Sequence, residues 1–224
     1  MPVILFDIDG TLIRSGGAGK DAMEAALRSA FGLTHIKDEV PYSGRTDCAI
    51  ARDLLAVHGL DPTPQNQRKL QDAYLDHLPQ SLRTRGGKVL PGVEQLLTAL
   101  KECAGAVVGL LTGNIRRGAE TKLGHFGLWD HFTCGGFGDD HFDRDDVARM
   151  ALREVESHLG GRVNPAEIWV IGDTPLDVKC ARAIGAKAIA VATGWHPVEE
   201  LTACSPDHCL SDLSDHRSLL EVWA

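Results

Sequence analysis

Val3-Ile4-Leu5-Phe6-Asp7-Ile8-Asp9-Gly10-Thr11-Leu12 is an apolar run interrupted by two acids on alternate positions and stopped by a glycine. A short apolar run bounded by a turn signal predicts a strand buried on both faces, the kind found inside a parallel sheet. Alternate side chains of a strand share a face, so Asp7 and Asp9 point the same way, and Gly10 lets the backbone turn sharply where a ligand could approach. Like charges held this close repel unless a cation lies between them, which makes the pair a candidate metal site. The plainer alternative is an Asp-rich turn after a strand.

Working outward, similar apolar runs recur at Val107-Leu111, Ile168-Ile171 and Ala188-Val191, separated by helical patterns at Val93-Leu100, Gly118-Phe126, Val147-Leu159 and Leu176-Ile184. That alternation predicts a doubly wound α/β core, a parallel sheet with helices on both faces. It is broken once. From about Ile13 to Lys88 no buried strand is evident, only amphipathic stretches near Ala18-Phe31, Asp47-His58 and Pro64-Leu78. The expectation is an inserted α-helical cap domain over residues 15–86, with residues 1–14 and 87–224 forming the Rossmann-like core. The charged, Gly-rich segment Arg83-Lys88 reads as an exposed return linker.

The bulk properties narrow the partners. The 224 residues, 43% hydrophobic and 24% charged, suit a folded globular chain rather than a disordered one. A formal charge of -8 argues against a nucleic-acid partner and means that an anionic substrate needs local help from a cation, an Arg or a helix N-terminus. The six cysteines form no C-x-x-C pair, so neither zinc nor a disulfide framework is expected. With no basic leader before the apolar run, no long apolar span and thiols that read as reduced, a cytoplasmic location without membrane contact is expected.

Two further strand ends carry polar groups. Leu110-Leu111-Thr112-Gly113-Asn114 places a hydroxyl and free backbone N–H groups at the start of a helix, which suits a phosphoryl group, although the same residues also cap helices. Ile168-Trp169-Val170-Ile171 runs into Gly172-Asp173-Thr174-Pro175-Leu176-Asp177, where Pro175 suits a first helical turn that brings Asp177 round beside Asp173. Favouring a helix N-terminus explains one acid well, but not a set recurring at separate strand ends.

Taken in order, these three motifs resemble those of the haloacid dehalogenase-like superfamily, and within it the phosphatases similar to phosphoglycolate phosphatase, which carry a helical cap after the first strand. The resemblance implies a Mg2+-dependent phosphatase acting on a small phosphorylated metabolite. Asp7 would be the nucleophile that becomes an aspartyl-phosphate, and Asp9 the acid and base. Thr112, with Gly113 and Asn114 binding substrate, would stabilise phosphoryl charge. Magnesium would be held by Asp7, the main-chain carbonyl of Asp9, Asp173 and Asp177. The family's basic residue, usually Lys, is matched best by Arg144, with Arg149, Lys122 and Lys179 as alternatives; an Arg in that place brings a fork in place of a point charge. In the cap, Arg45 of Tyr42-Ser43-Gly44-Arg45-Thr46-Asp47 is positioned to reach a substrate when the cap closes.

Other features are set aside. Gly16-Gly17-Ala18-Gly19-Lys20-Asp21 lacks the first Gly and the final Ser/Thr of a phosphate loop and reads as a hinge. Asp139, Asp140, His141 and Asp143 follow a Gly-rich stretch and read as a solvated loop. A haloacid dehalogenase has no need of Asp9 or of magnesium. A phosphosugar mutase of the beta-phosphoglucomutase type retains both acids and is the nearest rival, while a receiver-like or noncatalytic phosphate-binding module lacks such a cap or has lost an acid. Monomer and homodimer are equally compatible with the cap's apolar stripes.

Overall fold

The computed structural model describes residues 2–223. In chain order the elements are β1 (Val3–Phe6), β2 (Ile13–Arg14), α1 (Ala18–Phe31), α2 (Asp47–Val57), α3 (Pro64–Arg85), β3 (Lys88–Val89), α4 (Val93–Glu102) and β4 (Val107–Leu111). There follow α5 (Arg116–His125), β5 (Cys134–Gly136), α6 (Arg144–Leu159), β6 (Ile168–Gly172), α7 (Pro175–Ala183), β7 (Lys187–Val191), α8 (Val198–Ala203), β8 (His208–Leu210) and α9 (His216–Val222).

Six strands form one parallel sheet in the order β5-β4-β1-β6-β7-β8. β1, β4 and β6 are buried along their whole length, as helices on both faces require. One apolar layer joins Phe6, Leu110 and Ile171 to Leu96 and Leu97 of α4 and Leu123 of α5. The other joins Leu5, Leu111 and Val170 to Val147 and Ala151 of α6 and Val178 of α7. The register pairs Phe6 with both Leu110 and Ile171, so β1, β4 and β6 end level with one another. The residues that follow them therefore emerge side by side.

The long insertion is helical. On α1, Ala18, Ala22, Met23, Ala26 and Leu27 recur at helical spacing and are buried. They join Leu70, Tyr74 and Leu78 of α3 and Ile50 and Leu54 of α2 in a third cluster. Three alanines on the contact stripe let the α1 backbone approach α3 closely. Gly32 ends α1 in the left-handed conformation at φ 69°, and Thr46 caps α2 by accepting the Ala49 N–H at 3.2 Å.

Two details differ from the sequence expectation. Arg83, Thr84 and Arg85 form the last turn of α3 rather than an open linker; Arg85 pairs with Asp21 of α1 and the Thr84 hydroxyl donates to the Gln80 carbonyl at 3.1 Å, which carries the helix on to Gly86. The crossings into and out of the insertion are also paired, β2 running antiparallel to β3 with Ile13 opposite Val89 and Arg14 opposite Lys88. No helix among the described residues is long and apolar enough to cross a membrane.

Candidate active site

Asp7 follows the last residue of β1, and its N–H donates to the Ile171 carbonyl at 2.9 Å, which continues the ladder past the strand end. Asp173 follows β6, and Asp177 lies in the first turn of α7. Carboxylate oxygens of Asp7, Asp173 and Asp177 all lie within 4.8 Å of one another, and all three residues are buried. Asp177 is also half of a capping box: its Oδ2 accepts from the Thr174 N–H at 3.0 Å and the Thr174 hydroxyl at 2.7 Å. Asp173 accepts from the Thr11 hydroxyl at 3.1 Å.

Arg144, the first residue of α6, reaches this cluster from a buried position. Its Nη2 lies 2.8 Å from Asp7 Oδ1 and bonds Asp177 Oδ1 as well. The two carboxylates are thus served by a single nitrogen, and the guanidinium acts on them much as an ammonium would. The other terminal nitrogen, Nη1, points to the Gly44 carbonyl in the insertion, 3.3 Å away. Arg149 pairs with Asp146 and Lys179 with Asp145, both at the surface and away from Asp7.

A second buried cation serves Asp9. Lys122 of α5 bonds Asp9 Oδ2 and the Asn114 side-chain oxygen, the latter at 2.6 Å. Asp9 also accepts from Asn114 Nδ2 at 3.1 Å and the Ser15 hydroxyl at 3.2 Å. Sequence reasoning ranked Lys122 only as a substitute for Arg144. The available signal was its place beside Gly118, Ala119 and Leu123 on the buried stripe of α5, where a lysine is retained when it has an acid to meet.

Thr112 was expected to touch the phosphoryl group. The structure encloses it completely and turns its hydroxyl oxygen to Asn114, accepting from Nδ2 at 2.8 Å. The reason is local: the Thr112 N–H continues the ladder to the Gly136 carbonyl, and the chain reaches the chamber wall only at Gly113 and Asn114. Thr112 therefore orients Asn114, while Gly113 and Asn114 line a chamber of about 660 Å³ between core and insertion, into which Asp7, Asp9, Lys122, Arg144 and Asp173 also face.

The insertion meets the core at residues 43–47. The Asp47 N–H donates to the Gly113 carbonyl at 2.8 Å, and its carboxylate accepts the Ile115 N–H at 2.9 Å. Arg45 lines the chamber, but its guanidinium is held inside the insertion by Asp53 at 2.6 Å and the Pro41 carbonyl at 3.1 Å. Of the acids set aside as a solvated loop, Asp139 accepts the Arg116 N–H and Asp143 caps α6.

Charge balance separates the two halves of the site. Burial raises Asp7 to a pKa of about 6, with Arg144 opposing and Asp177 adding to the rise. Burial, then Asp177 and Asp7, push Asp173 well above the ordinary carboxylate range. At Asp9, burial is outweighed by the Lys122 charge and the bonds from Lys122, Asn114 and Ser15, so its pKa falls. Three enclosed carboxylates against one guanidinium leave negative charge uncompensated, and that imbalance, in an all-oxygen donor set, fits a hard divalent cation.

The family model for haloacid dehalogenase-like hydrolases matches residues 4–191. The chain is 30% identical to the phosphoglycolate phosphatase of Synechococcus elongatus over 217 residues, covering 96% of this chain and 95% of the relative. It is 26% identical to the bifunctional riboflavin kinase/FMN phosphatase of Arabidopsis thaliana, covering 98% of this chain and 55% of the relative. The crystal structure of CbbY from Rhodobacter sphaeroides in complex with phosphate superposes with a TM-score of 0.76 at 20% identity, covering 96% of each chain. The match spans every strand from β1 to β7 and all three acidic or polar strand ends, so the chain belongs to the haloacid dehalogenase-like hydrolase family.

Proposed function

We propose that the protein is a magnesium-dependent phosphatase that hydrolyses a small phosphate monoester through an aspartyl-phosphate on Asp7. The observation that carries the reading is the convergence of Asp7, Asp173 and Asp177 beside Arg144, with Asp9 facing the same chamber. The names of the relatives, phosphoglycolate phosphatase above all, support the substrate class.

Asp7, Asp173 and the main-chain carbonyl of Asp9 would hold magnesium, with Asp177, whose oxygens are engaged by Thr174 and Arg144, acting behind them. When bound, the ion supplies the positive charge that lets a carboxylate approach a phosphate dianion. An Asp7 oxygen attacks phosphorus in line and the ester oxygen departs with a proton from Asp9. Asp9 then takes a proton from the water that cleaves the acyl phosphate, releasing inorganic phosphate and restoring Asp7. Arg144 keeps Asp7 aimed, Asn114 holds Asp9 in place through its Nδ2, and the Gly113 main chain and the Lys122 ammonium would meet the equatorial oxygens where charge accumulates. In the resting site Lys122 keeps Asp9 ionised, the form needed for the second step. For the first step Asp9 must take up a proton, which follows if the ammonium moves from Asp9 to the incoming phosphoryl oxygens.

The test is release of inorganic phosphate from 2-phosphoglycolate and p-nitrophenyl phosphate with magnesium. Asp7→Asn keeps the side chain's shape but removes the nucleophile, and turnover is expected to fall by about 10⁴-fold or more, in line with losses seen when covalent nucleophiles are removed. Near-normal turnover by a folded Asp7→Asn protein would refute the assignment.

A further inference from the structure

Trp195 is 92% exposed, the extreme among the large apolar side chains of the described residues, yet it sits at the rim of the catalytic chamber. Its neighbours hold it there. The Thr193 hydroxyl donates to the Gly10 carbonyl at 2.5 Å, and the Thr193 carbonyl accepts Arg14 Nη2 at 2.6 Å. Gly194 lies so close to the catalytic cluster that a Cβ there would come within 1.7 Å of Asp173 Oδ2. His196 is bonded on one nitrogen to Ser43 of the insertion, at 3.1 Å, and faces Glu200 with the other at 3.0 Å. The loop is tied on both sides of the indole, and among the described residues no hydrogen bond or ring contact reaches the indole itself.

The chamber behind it is large and partly greasy. Its volume of about 660 Å³ lies within the range of about 300–1,000 Å³ usual for pockets that hold drug-sized ligands. Ile13, Met23, Val40, Ile50, Tyr42 and Tyr74 contribute apolar surface to its wall. The cations that line it are already engaged: Lys20 with Asp38, Arg45 with Asp53, Lys122 with Asp9, Arg144 with Asp7, and Arg14 with the Thr193 carbonyl. A second negative group on the leaving alcohol would have to share a cation that already has a partner, whereas a flat apolar group would meet an apolar wall and an unpartnered indole.

We infer that Trp195 is a specificity-determining residue that stacks on a planar ring carried by the leaving group, so that the preferred substrates are phosphate monoesters of ring-bearing alcohols such as nucleosides. The inference rests on the phosphatase reading and narrows its substrate class away from phosphoglycolate. A stacked aromatic pair is worth about 1–3 kcal/mol, which corresponds to about 5- to 150-fold in kcat/KM.

Adenosine 5′-monophosphate and ribose 5-phosphate share the reacting ester and the sugar and differ in the ring. The kcat/KM ratio of the first to the second is expected to be well above one in the wild type, to fall about tenfold or more in Trp195→Ala and to be largely retained in Trp195→Phe. An unchanged ratio in Trp195→Ala overturns the inference, and so does a wild type without preference for the ring. A loss of self-association in Trp195→Ala with the ratio intact also overturns it, since the indole would then serve a second copy of the chain. Binding is read separately by tryptophan fluorescence in the Asp7→Asn background. There the nucleotide is expected to quench emission, and Trp195→Phe to remove the quench. Quenching without phosphate release from any ester by the wild type would overturn the phosphatase reading and leave the stacking site standing.

Discussion

Asp47 shows how one side chain at the junction between insertion and core sets a pH dependence. Burial raises its pKa to about 6, with Lys122 and the Ile115 N–H opposing the shift. The folded state therefore keeps a proton that the unfolded chain has lost between about pH 4 and 6. The stabilising contribution is complete below the ordinary value of 3.8 and is lost as pH rises through 6. Above pH 6 the buried charge costs about 2 kcal/mol, allowing for the part of the side chain that water reaches. Asp47→Asn keeps an oxygen for the Ile115 N–H and removes the charge. Its melting temperature is expected to exceed that of the wild type by about 4–8 °C at pH 8 and to match it at pH 4. Equal shifts at both values would show that the charge is not the cause. Nothing local marks Asp47 in the sequence, where it is one more acid at a helix start. The paired acids Asp7 and Asp9 were legible because strand period and a following glycine are local signals. The direction of the Thr112 hydroxyl was not legible, because it depends on where the neighbouring strand β5 lies.

The turn between β4 and α5 is fixed by backbone contacts too close to relax. Gly113 is the sharpest case: a Cβ there would lie 2.2 Å from the Arg45 carbonyl oxygen and 3.0 Å from the Thr46 Cα, both main-chain atoms of the segment that leads into α2. Gly113→Ala is expected to lift residues 43–47 off the core, lowering kcat/KM by about 10- to 100-fold through misplacement of the chamber wall. Hydrogen exchange in the first turn of α2 would rise with it. Gly124→Ala on α5, where a side chain meets open space, is the matched control and should leave both unchanged. At this scale α1 runs over the residues its apolar spacing predicts, because a stripe repeated over four turns is hard to misread. β5 and β8 escaped notice. Cys134-Gly135-Gly136 carries no apolar run, and His208-Cys209-Leu210 is an only partly buried edge strand, so neither shows the continuous pattern of an inner strand.

For the molecule as a whole, the acids that face one another come from β1, β6 and α7, and an ion among them would join the two central strands to a helix. Ligand that binds only the folded state raises stability by about 2.7 kcal/mol at a concentration 100 times its dissociation constant. Magnesium is thus expected to raise the melting temperature by about 5–10 °C, and Asp173→Asn to abolish the rise; a shift that persists in Asp173→Asn would place the ion elsewhere. The layered α/β architecture was legible because the apolar runs alternate with helical stripes along most of the chain. The pairing of β2 with β3 at the seam between core and insertion was not, since strands two residues long leave no pattern. That seam carries a last consequence. β2 and β3 hold the points of departure and return side by side, so the span between residues 14 and 88 leaves and re-enters the core at one place. Between those points the segment rests on the core through the Gly44 carbonyl on Arg144 and the Asp47 N–H on Gly113, so any rearrangement of it reaches the catalytic guanidinium and the chamber wall together.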